Sequence, residues 1–264
     1  MTQQKFFRRK LWQFGNMFDL DLINAADPAE LFCVLLKYRG SEAGFTKDKE
    51  QAFLAYVLKN FNCANAQIFQ DLFVLLMTSE KRGGYFVEFG ATNGVTLSNS
   101  YLLEKSFGWD GILAEPGRCW HAELRANRNC KIETNCVWGK SGERLEFNEV
   151  SSRELSTIND LSGSDGRSLE RQNGNVYIVE TISLNELLEK HGAPHEIDYL
   201  SVDTEGSELT ILSNFDFSKY KINIITVEHN FTKEREIIHD LLRVNGYKRV
   251  FARLSNWDDW YVKD

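Results

Sequence analysis

The sequence predicts an α/β fold of the Rossmann-like type, in which a mostly parallel sheet carries helices on both faces. Three observations point to it. Short apolar runs alternate with helical patterns from residue 85 onward. The first apolar run passes into a helical pattern through two glycines, Gly90 and Gly94. The last two strand-like stretches, 247–253 and 259–263, are joined by so few residues that they must pair antiparallel.

The composition is that of a globular protein without a broad nucleic-acid-binding face. Of 264 residues, 42% are hydrophobic and 26% are charged, and the formal net charge is −7. A wide basic patch for nucleic acid is therefore not expected. No apolar run approaches the roughly 20 residues of a transmembrane helix. Five cysteines without a C-x-x-C pair, and basic N-terminal residues without an apolar core after them, predict a cytoplasmic protein with reduced thiols.

Residues 1–83 are predicted to form a helical extension packed on a core domain at 84–264. Asp27 and the proline after it are a favourable helix start. The polar pair Gln70 and Asp71 either faces the ligand site or lies on an exposed helical face. The apolar surface of the extension either covers its own domain or forms a homodimer. The predicted helices span 27–40, 46–60 and 64–81.

The core domain is predicted to alternate strands with helices, as in βαβ units. A polar, aperiodic segment at 151–174 interrupts the alternation and is predicted to be a lid or a flexible loop. Strand-like runs occupy 85–89, 111–115, 130–134, 176–182, 197–202 and 222–228, and helical patterns occupy 94–107, 117–127, 183–191, 206–214 and 232–245.

The motif at the first strand–helix turn indicates a ligand without phosphates. It spans residues 88–94 and reads E-F-G-A-T-N-G. A dinucleotide fingerprint has a further glycine between these two, where the backbone approaches a pyrophosphate, and Thr92 takes that place here. An acid before the first glycine repels a pyrophosphate but suits the ammonium and sulfonium groups of S-adenosylmethionine. The residues predicted to bind this donor are Glu88, Gly90, Ala91, Thr92, Asn93 and Gly94.

Glu115 ends the next predicted strand, one strand–helix–strand step after Gly90. A carboxylate at this position accepts hydrogen bonds from both ribose hydroxyls of a nucleoside. An acid that caps the following helix is the structural alternative. Pro116 follows in the same predicted site. After the third strand, Asn135 and Val137 are predicted to line the adenine pocket, with an ordinary turn as the alternative for Asn135.

Two further strands end in polar clusters that flank the predicted acceptor position. Residues 203–208 read D-T-E-G-S-E after one strand, and residues 228–230 read E-H-N at the end of the next. The helix dipole accounts for acids at the start of a helix, such as Glu205. It accounts less well for Asp203, because a carboxylate at the end of a buried strand needs a partner.

With these motifs in place, the chain from about residue 67 onward resembles the FkbM-type methyltransferases. The most specific stretch is 197–208, which reads I-D-Y-L-S-V-D-T-E-G-S-E. The resemblance does not cover residues 1–66 or the segment 151–174. The other matching stretches are Gln70-Asp71, 86–94, 98–104, 108–116, 182–188, Glu228 and Gly246-Tyr247.

The resemblance implies a seven-stranded sheet whose last pairing is antiparallel, S-adenosylmethionine as methyl donor, and usually a hydroxyl group as acceptor. It therefore predicts O-methylation of a sugar, a glycan or a related metabolite. Trp257 and Trp260 either stack on a sugar ring or pack within the terminal hairpin. N-methylation of an amine and a non-catalytic nucleotide-binding module are the alternatives. A nicotinamide-dependent oxidoreductase is disfavoured by the missing middle glycine.

Transfer to a hydroxyl needs a general base within hydrogen-bond reach of it. The candidates are His229, Asp203 and Glu205. Histidine has an ordinary pKa of about 6.5, which suits a base near neutral pH. A capping or packing histidine is the alternative for His229.

In a variant of this mechanism, a divalent cation binds the hydroxyl and makes it more acidic. Oxygen ligands are the ones that hard cations prefer. Asp203 with Glu228 or Asn230 would supply them at two neighbouring strand ends. The cation is an alternative to the metal-free mechanism, and the sequence does not require it.

Overall fold

The computed structural model describes residues 48–264, which fold around two β-sheets. In chain order the strands are β1 (Tyr85–Phe89), β2 (Asp110–Ala114), β3 (Lys131–Glu133), β4 (Cys136–Trp138), β5 (Arg144–Glu149), β6 (Thr157–Ile158), β7 (Asn175–Ser183), β8 (Glu196–Val202), β9 (Lys221–Glu228), β10 (Tyr247–Val250) and β11 (Asp258–Lys263). The α-helices are α1 (Asp48–Asn60), α2 (Gln70–Met77), α3 (Tyr101–Phe107), α4 (His121–Asn127), α5 (Leu184–Lys190), α6 (Glu208–Ser213) and α7 (Glu234–Val244).

The larger sheet has seven strands in the order β3–β2–β1–β8–β9–β11–β10. Strand β11 pairs antiparallel with both β9 and β10, and the other neighbouring pairs are parallel. The interior strand β8 is buried along its whole length after its first residue, because helices cover both faces of a parallel sheet. The predicted α/β class and the C-terminal antiparallel hairpin are confirmed. The predicted seven strands describe this sheet but not the whole chain, because a second sheet adds four.

The second sheet has the order β4–β7–β5–β6. Strand β7 pairs parallel with β4 and antiparallel with β5. Its small core contains Phe147, Ile158 and Val179. The run predicted at 176–182 is therefore a strand, but it belongs to this sheet and not to the parallel one. Strand β5 has the sequence R-L-E-F-N-E, whose charged residues conceal its strand character.

Helix α2 is much shorter than the helix predicted over 64–81. Phe69, directly before it, has a left-handed backbone with φ of 69°. The carboxylate of Asp71 accepts hydrogen bonds from the backbone N–H groups of Asn65 and Ala66, at 2.6 and 3.1 Å. The residues before α2 therefore form a loop that is tied to its first turn, and Asp71 is buried instead of exposed.

The remaining helices agree with the prediction in position, although several begin later. The helix predicted from residue 94 begins at Tyr101, because the residues between form the turn that surrounds Glu88. The helix predicted from 117 begins at His121, after a short 3-10 turn. The helix predicted over 27–40 lies outside the described residues. Among the described helices, none is long and apolar enough to cross a membrane.

Helices α1 and α2 pack on the main sheet through an aromatic core. Trp260 of β11 stacks on Phe73 at 4.6 Å between ring centroids, and Phe53 meets Trp260 edge-on at 5.5 Å. Gln70 donates a hydrogen bond to Asp258 at 2.8 Å, so it is buried between elements and faces neither the cavity nor solvent. Trp260 is therefore a packing residue. The predicted domain boundary at residue 83 stays a prediction.

Candidate active site

A cavity of about 400 Å³ opens at the carboxyl ends of β1, β2, β8 and β9. This edge is where a doubly wound sheet receives its ligands. Strands β4, β5 and β6 and the segment 151–174 also contribute to the lining. The sequence-predicted residues that line the cavity are Glu88, Gly90, Thr92, Glu115, Pro116, Val137, Asp203, Glu205, Glu228 and Asn230.

The glycine turn after β1 is shaped by its contact with the end of β8. Gly90 has a φ of +69°, and a Cβ there would lie 2.1 Å from the carbonyl oxygen of Asp203. Both the conformation and the space therefore require glycine. The same Cβ position is only 3.9 Å from the Cβ of Asp203. The predicted donor turn and the predicted acceptor strand end thus belong to one site.

Glu88 lines the cavity, but protein groups already contact both of its oxygens. Its Oε1 accepts from the backbone N–H of Asn99 at 2.8 Å. Its Oε2 accepts from the hydroxyls of Ser98, at 3.0 Å, and Ser100. The guanidinium group of Arg128 lies 4.0 Å from Oε2. Glu88 therefore organises the turn around it, and its contact with the donor ammonium stays a prediction.

Glu115 connects the glycine turn to the loop after β2. Its Oε2 accepts from the backbone N–H of Thr92 at 2.8 Å, and its Oε1 accepts from that of Gly117 at 2.7 Å. Burial raises the pKa of Glu115 to about 7, although these two hydrogen bonds oppose the rise. A carboxylate has about four acceptor sites. Two therefore stay available, which is the number that the two ribose hydroxyls need.

Three carboxylates meet where β8 and β9 end. Asp203 follows β8, Glu205 comes two residues later, and Glu228 is the last residue of β9. One oxygen of each lies within 4.8 Å of the others, and we name this group the carboxylate triad. Burial, and after it the negative charge of neighbouring carboxylates, raises the pKa of each member.

The segment 151–174 is attached to the triad through Arg171. The buried guanidinium of Arg171 contacts Glu205 at 2.6 Å and Asp165 at 2.8 Å. The hydroxyl of Thr157 donates to the backbone carbonyl of Glu205 at 2.9 Å. These contacts hold the segment against the cavity. Its role as a lid stays a prediction.

His229 lies beside the cavity and does not line it. Its Nδ1 accepts a hydrogen bond from the backbone N–H of Phe231 at 3.0 Å, and its Nε2 lies 3.8 Å from Asp259. Burial lowers the pKa of His229 to about 4, although the charge of Asp259 opposes the change. The geometry therefore favours the carboxylate triad over His229 as the source of a base. Asn230, the next residue, does line the cavity.

Four more predicted donor residues shape the turns around the cavity without lining it. Ala91 is buried in the core. Asn93 accepts two backbone hydrogen bonds within its own turn through its side-chain oxygen. Gly94 makes room for Arg128, whose Cγ would lie 2.6 Å from a Cβ at this position. The backbone N–H of Asn135 donates to a carboxylate of β3, so the turn alternative describes Asn135 better than the adenine pocket does.

The cavity also contains residues that the sequence analysis does not single out. Phe147 and Ile158 reach it from the second sheet, and Arg153 and Arg167 reach it from the segment 151–174. The polar, aperiodic composition of that segment is the one signal that marks it in the sequence. The composition identifies the segment but not the side chains that enter the site.

Comparison with known proteins relates the chain to methyltransferases. Residues 88–249, more than half of the chain, match the domain family described as Methyltransferase FkbM domain. A search of curated proteins finds no match. The solved structure of methyltransferase FkbM from Methylobacillus flagellatus KT is similar with a TM-score of 0.43 and 12% identity, over 95% of this chain and 62% of that one. Precorrin-6y C5,15-methyltransferase from Geobacter metallireducens GS-15 is similar with a TM-score of 0.39 and 11% identity, over 68% and 70%.

The matched region contains nearly all of the residues that line the cavity, with Gln67 and Trp257 outside it. It begins at Glu88, includes the glycine turn, Glu115 and the carboxylate triad, and ends within β10. The structural similarities are too weak to bear on the substrate, so the assignment depends on the domain match. That family implies the use of S-adenosylmethionine. The chain thus belongs to the FkbM methyltransferase family and is an S-adenosylmethionine-dependent methyltransferase.

Proposed function

We propose that the protein transfers the methyl group of S-adenosylmethionine to a hydroxyl group of a sugar, a glycan or a related polar metabolite. The position of Asp203 carries this proposal. Its backbone touches the donor turn at Gly90, and its carboxylate belongs to the triad inside the cavity. A hydroxyl is a weak nucleophile, so it needs a base next to the methyl donor.

The donor is proposed to lie along the carboxyl ends of β1 and β2. The free acceptor sites of Glu115 match the two ribose hydroxyls. Val137 and Phe147 offer apolar surface for the adenine ring. The methionine part then extends past Gly90 toward Asp203. This direction brings the methyl group to the triad.

In the proposed reaction, the acceptor oxygen attacks the methyl carbon in line with the departing sulfur. The oxygen–carbon bond forms as the carbon–sulfur bond breaks, S-adenosylhomocysteine leaves, and the hydroxyl proton passes to the carboxylate of Asp203. Burial raises the pKa of Asp203, so its carboxylate is a stronger base than that of an exposed aspartate. Holding the three reacting atoms in line contributes several kcal/mol.

The remaining lining suits a polyhydroxylated acceptor. Trp257 and Phe231 provide aromatic surface near the triad, and Arg153 and Arg167 provide donors on the segment 151–174. A sugar ring presents apolar C–H faces to aromatic rings and hydroxyls to charged groups. This combination supports a sugar over an apolar acceptor.

Donor binding is tested by calorimetry with S-adenosylmethionine. Glu115→Ala is expected to weaken binding about 10–100-fold, because two hydrogen bonds to a charged group are lost. Glu189→Ala is the matched control, since this residue is exposed on α5 and does not line the cavity. Equal affinities of the two variants would contradict the ribose role of Glu115.

The acceptor is tested by transfer of a labelled methyl group onto nucleotide sugars, glycolipids and polysaccharides. With a hydroxyl acceptor found, Asp203→Asn is expected to lower kcat about 10²–10⁴-fold while the affinity for the donor stays similar. If His229→Gln lowers kcat by as much as Asp203→Asn does, the histidine and not Asp203 is the base. Absence of O-methylated product from every acceptor class would contradict the proposal.

N-methylation of an amine is the second candidate. The uncompensated negative charge of the triad favours it, because a cationic acceptor would be attracted to this end of the cavity. Mass spectrometry of the methylated product decides between the two. A methylated amine, with hydroxyl analogues inactive, would replace the O-methylation proposal.

A cytoplasmic location is also proposed. The cysteines in the described part of the chain are free thiols: Cys63, Cys119, Cys130 and Cys136. Unpaired thiols are the usual state in a reducing compartment. The nucleotide sugars and polysaccharide precursors of the acceptor screen are compatible with that compartment.

A further inference from the structure

The carboxylate triad has the arrangement of a cation site. The ligand oxygens of Asp203, Glu205 and Glu228 lie within 4.8 Å of one another. Ligands on opposite sides of one Mg²⁺ ion are about 4.2 Å apart, and those of one Ca²⁺ ion are about 4.6–5.2 Å apart. The three oxygens are therefore close enough to be ligands of a single ion.

A second observation is independent of this spacing. Glu228 is only 8% exposed, and its Oε2 has no hydrogen-bond partner among the residues that the structure describes. A buried carboxylate oxygen without a donor is strongly unfavourable. Glu228 lines the cavity and belongs to the triad, so the unsatisfied oxygen is part of a carboxylate group of the site itself.

The ion pairs around the triad also favour a cation site. Within residues 48–264, the one basic group that forms an ion pair with the triad is Arg171, which contacts Glu205 and is shared with Asp165. No ion pair in this part of the chain joins a basic side chain to Asp203 or Glu228. Asp203 and Glu228 are thus left without a basic partner in the described residues, and one divalent cation would balance the charge of both carboxylates.

We propose that Asp203, Glu205 and Glu228 bind one hard divalent cation of the class of Ca²⁺, Mn²⁺ and Mg²⁺. Carboxylate oxygens are the ligands that these ions prefer, and such ions keep further positions for water or substrate oxygen. An acceptor hydroxyl at one of these positions would bind the ion through its oxygen and pass its proton more readily to the carboxylate oxygen of Asp203 that does not bind the ion. This use of the ion rests on the proposed O-methylation, whereas binding of the ion does not.

The test uses the full chain, stripped of metal with a chelator and then titrated with Mn²⁺. Binding is followed by electron paramagnetic resonance and calorimetry. We expect one equivalent of Mn²⁺ to bind the wild type and Mg²⁺ to compete for the same site. Glu228→Gln, which keeps the shape and removes the charge, is expected to weaken Mn²⁺ binding at least about tenfold.

Glu154→Gln is the matched control, because Glu154 lines the same cavity but lies outside the triad. Its Mn²⁺ affinity is expected to equal that of the wild type. If Glu228→Gln does not fold by circular dichroism, Asp203→Asn takes its place with the same expectation. Failure of the wild type to bind Mn²⁺ at about 1 mM, the weak end of protein cation sites, would overturn the proposal. Equal affinities in wild type and triad variant would overturn it as well.

Measurements of binding and of methyl transfer separate the two proposals. If methyl transfer to a hydroxyl is unchanged in excess chelator and the protein does not bind Mn²⁺, the proposed cation site is contradicted. The proposed O-methylation is then unaffected. Mn²⁺ binding that is lost in Glu228→Gln supports the cation site even if every hydroxyl acceptor fails. In that second case only the proposed acceptor chemistry is contradicted.

Discussion

Two groups of buried or half-buried carboxylates lie near the carboxyl ends of the strands of the main sheet, and they differ in how their charge is balanced. The first, which we name the Arg128 cluster, contains Glu88 and Glu104 around the guanidinium of Arg128. Arg128 contacts Glu104 at 2.6 Å, and Glu88 accepts hydrogen bonds from a backbone N–H and two serine hydroxyls. The second group is the carboxylate triad, in which one oxygen of Glu228 has no hydrogen-bond partner within residues 48–264.

The difference separates a structural role from a functional one. A buried carboxylate whose oxygens all have partners stabilises the turn around it, as in the Arg128 cluster. In the triad, one carboxylate oxygen has no hydrogen-bond partner among residues 48–264, which is the observation that supports the proposed cation. Glu88 and Glu228 are both buried, so burial does not distinguish them. The hydrogen bonding of their carboxylate oxygens does, because both oxygens of Glu88 have partners.

The largest expected effect on stability comes from removing the positive charge of Arg128 from the Arg128 cluster. Arg128→Met keeps much of the side-chain stem but leaves Glu88 without its nearby cation and Glu104 with Lys105 alone. We expect the free energy of unfolding to fall by about 3–5 kcal/mol, as for other buried ion pairs that lose one partner. Chemical denaturation at neutral pH measures this loss. Arg125→Met, on helix α4 just before Arg128, is the control and is expected to change stability by less than about 0.5 kcal/mol, because Arg125 is exposed.

A smaller loss of stability is expected when the pH is lowered, and it arises from Glu104 in the same cluster. Burial by itself raises the pKa of Glu104, but hydrogen bonds from Lys105 and Arg128 outweigh it and lower the pKa to about 2, from 4.5. Because the folded-state pKa is depressed, the contribution of Glu104 to stability is present above pH 4.5 and is lost as the pH falls toward 2. This contribution is about 2–3 kcal/mol.

The measurement compares wild type with Glu104→Gln by denaturation at several pH values. The wild type should be the more stable protein at pH 7, and the difference should shrink between pH 4.5 and 2. A difference that stays constant through this window would mean that Glu104 acts by packing and not by charge.

Local sequence patterns predicted the parts of the site that strand ends determine. Parallel strands end at one edge of a sheet, so acids such as Glu115 and Asp203 were expected to lie close together, and they line one cavity. Gly90 and Asp203 follow neighbouring parallel strands, so they are expected to lie close together. The distance between them cannot be predicted from the sequence. The acid and glycine positions of the donor turn were thus predictable without any long-range information.

Partners that come from distant parts of the chain were not predictable in this way. Glu205 is paired with Arg171, 34 residues earlier, and nothing in the pattern of either segment indicates the contact. His229 was a candidate base because the ordinary pKa of histidine is near neutral, and burial lowers that pKa. The second sheet was missed because β5 places charged residues among its apolar ones, and its pairing with β7 depends on tertiary contacts.

The smallest expected effect has the opposite sign and tests the contrast between the two groups most directly. In the metal-free protein, Glu228→Gln removes one of the mutually repelling carboxylates of the triad. We expect stability to rise by about 1 kcal/mol, or about 2–4 °C in Tm, whereas loss of charge in the Arg128 cluster lowers it.

Thermal unfolding in excess chelator measures the change. Addition of Mg²⁺ should raise the Tm of the wild type and leave that of Glu228→Gln nearly unchanged, because an ion that binds only the folded state stabilises it. A fall in the Tm of metal-free Glu228→Gln would mean that Glu228 is balanced within the fold, as Glu88 is, and the contrast between the two groups would be wrong.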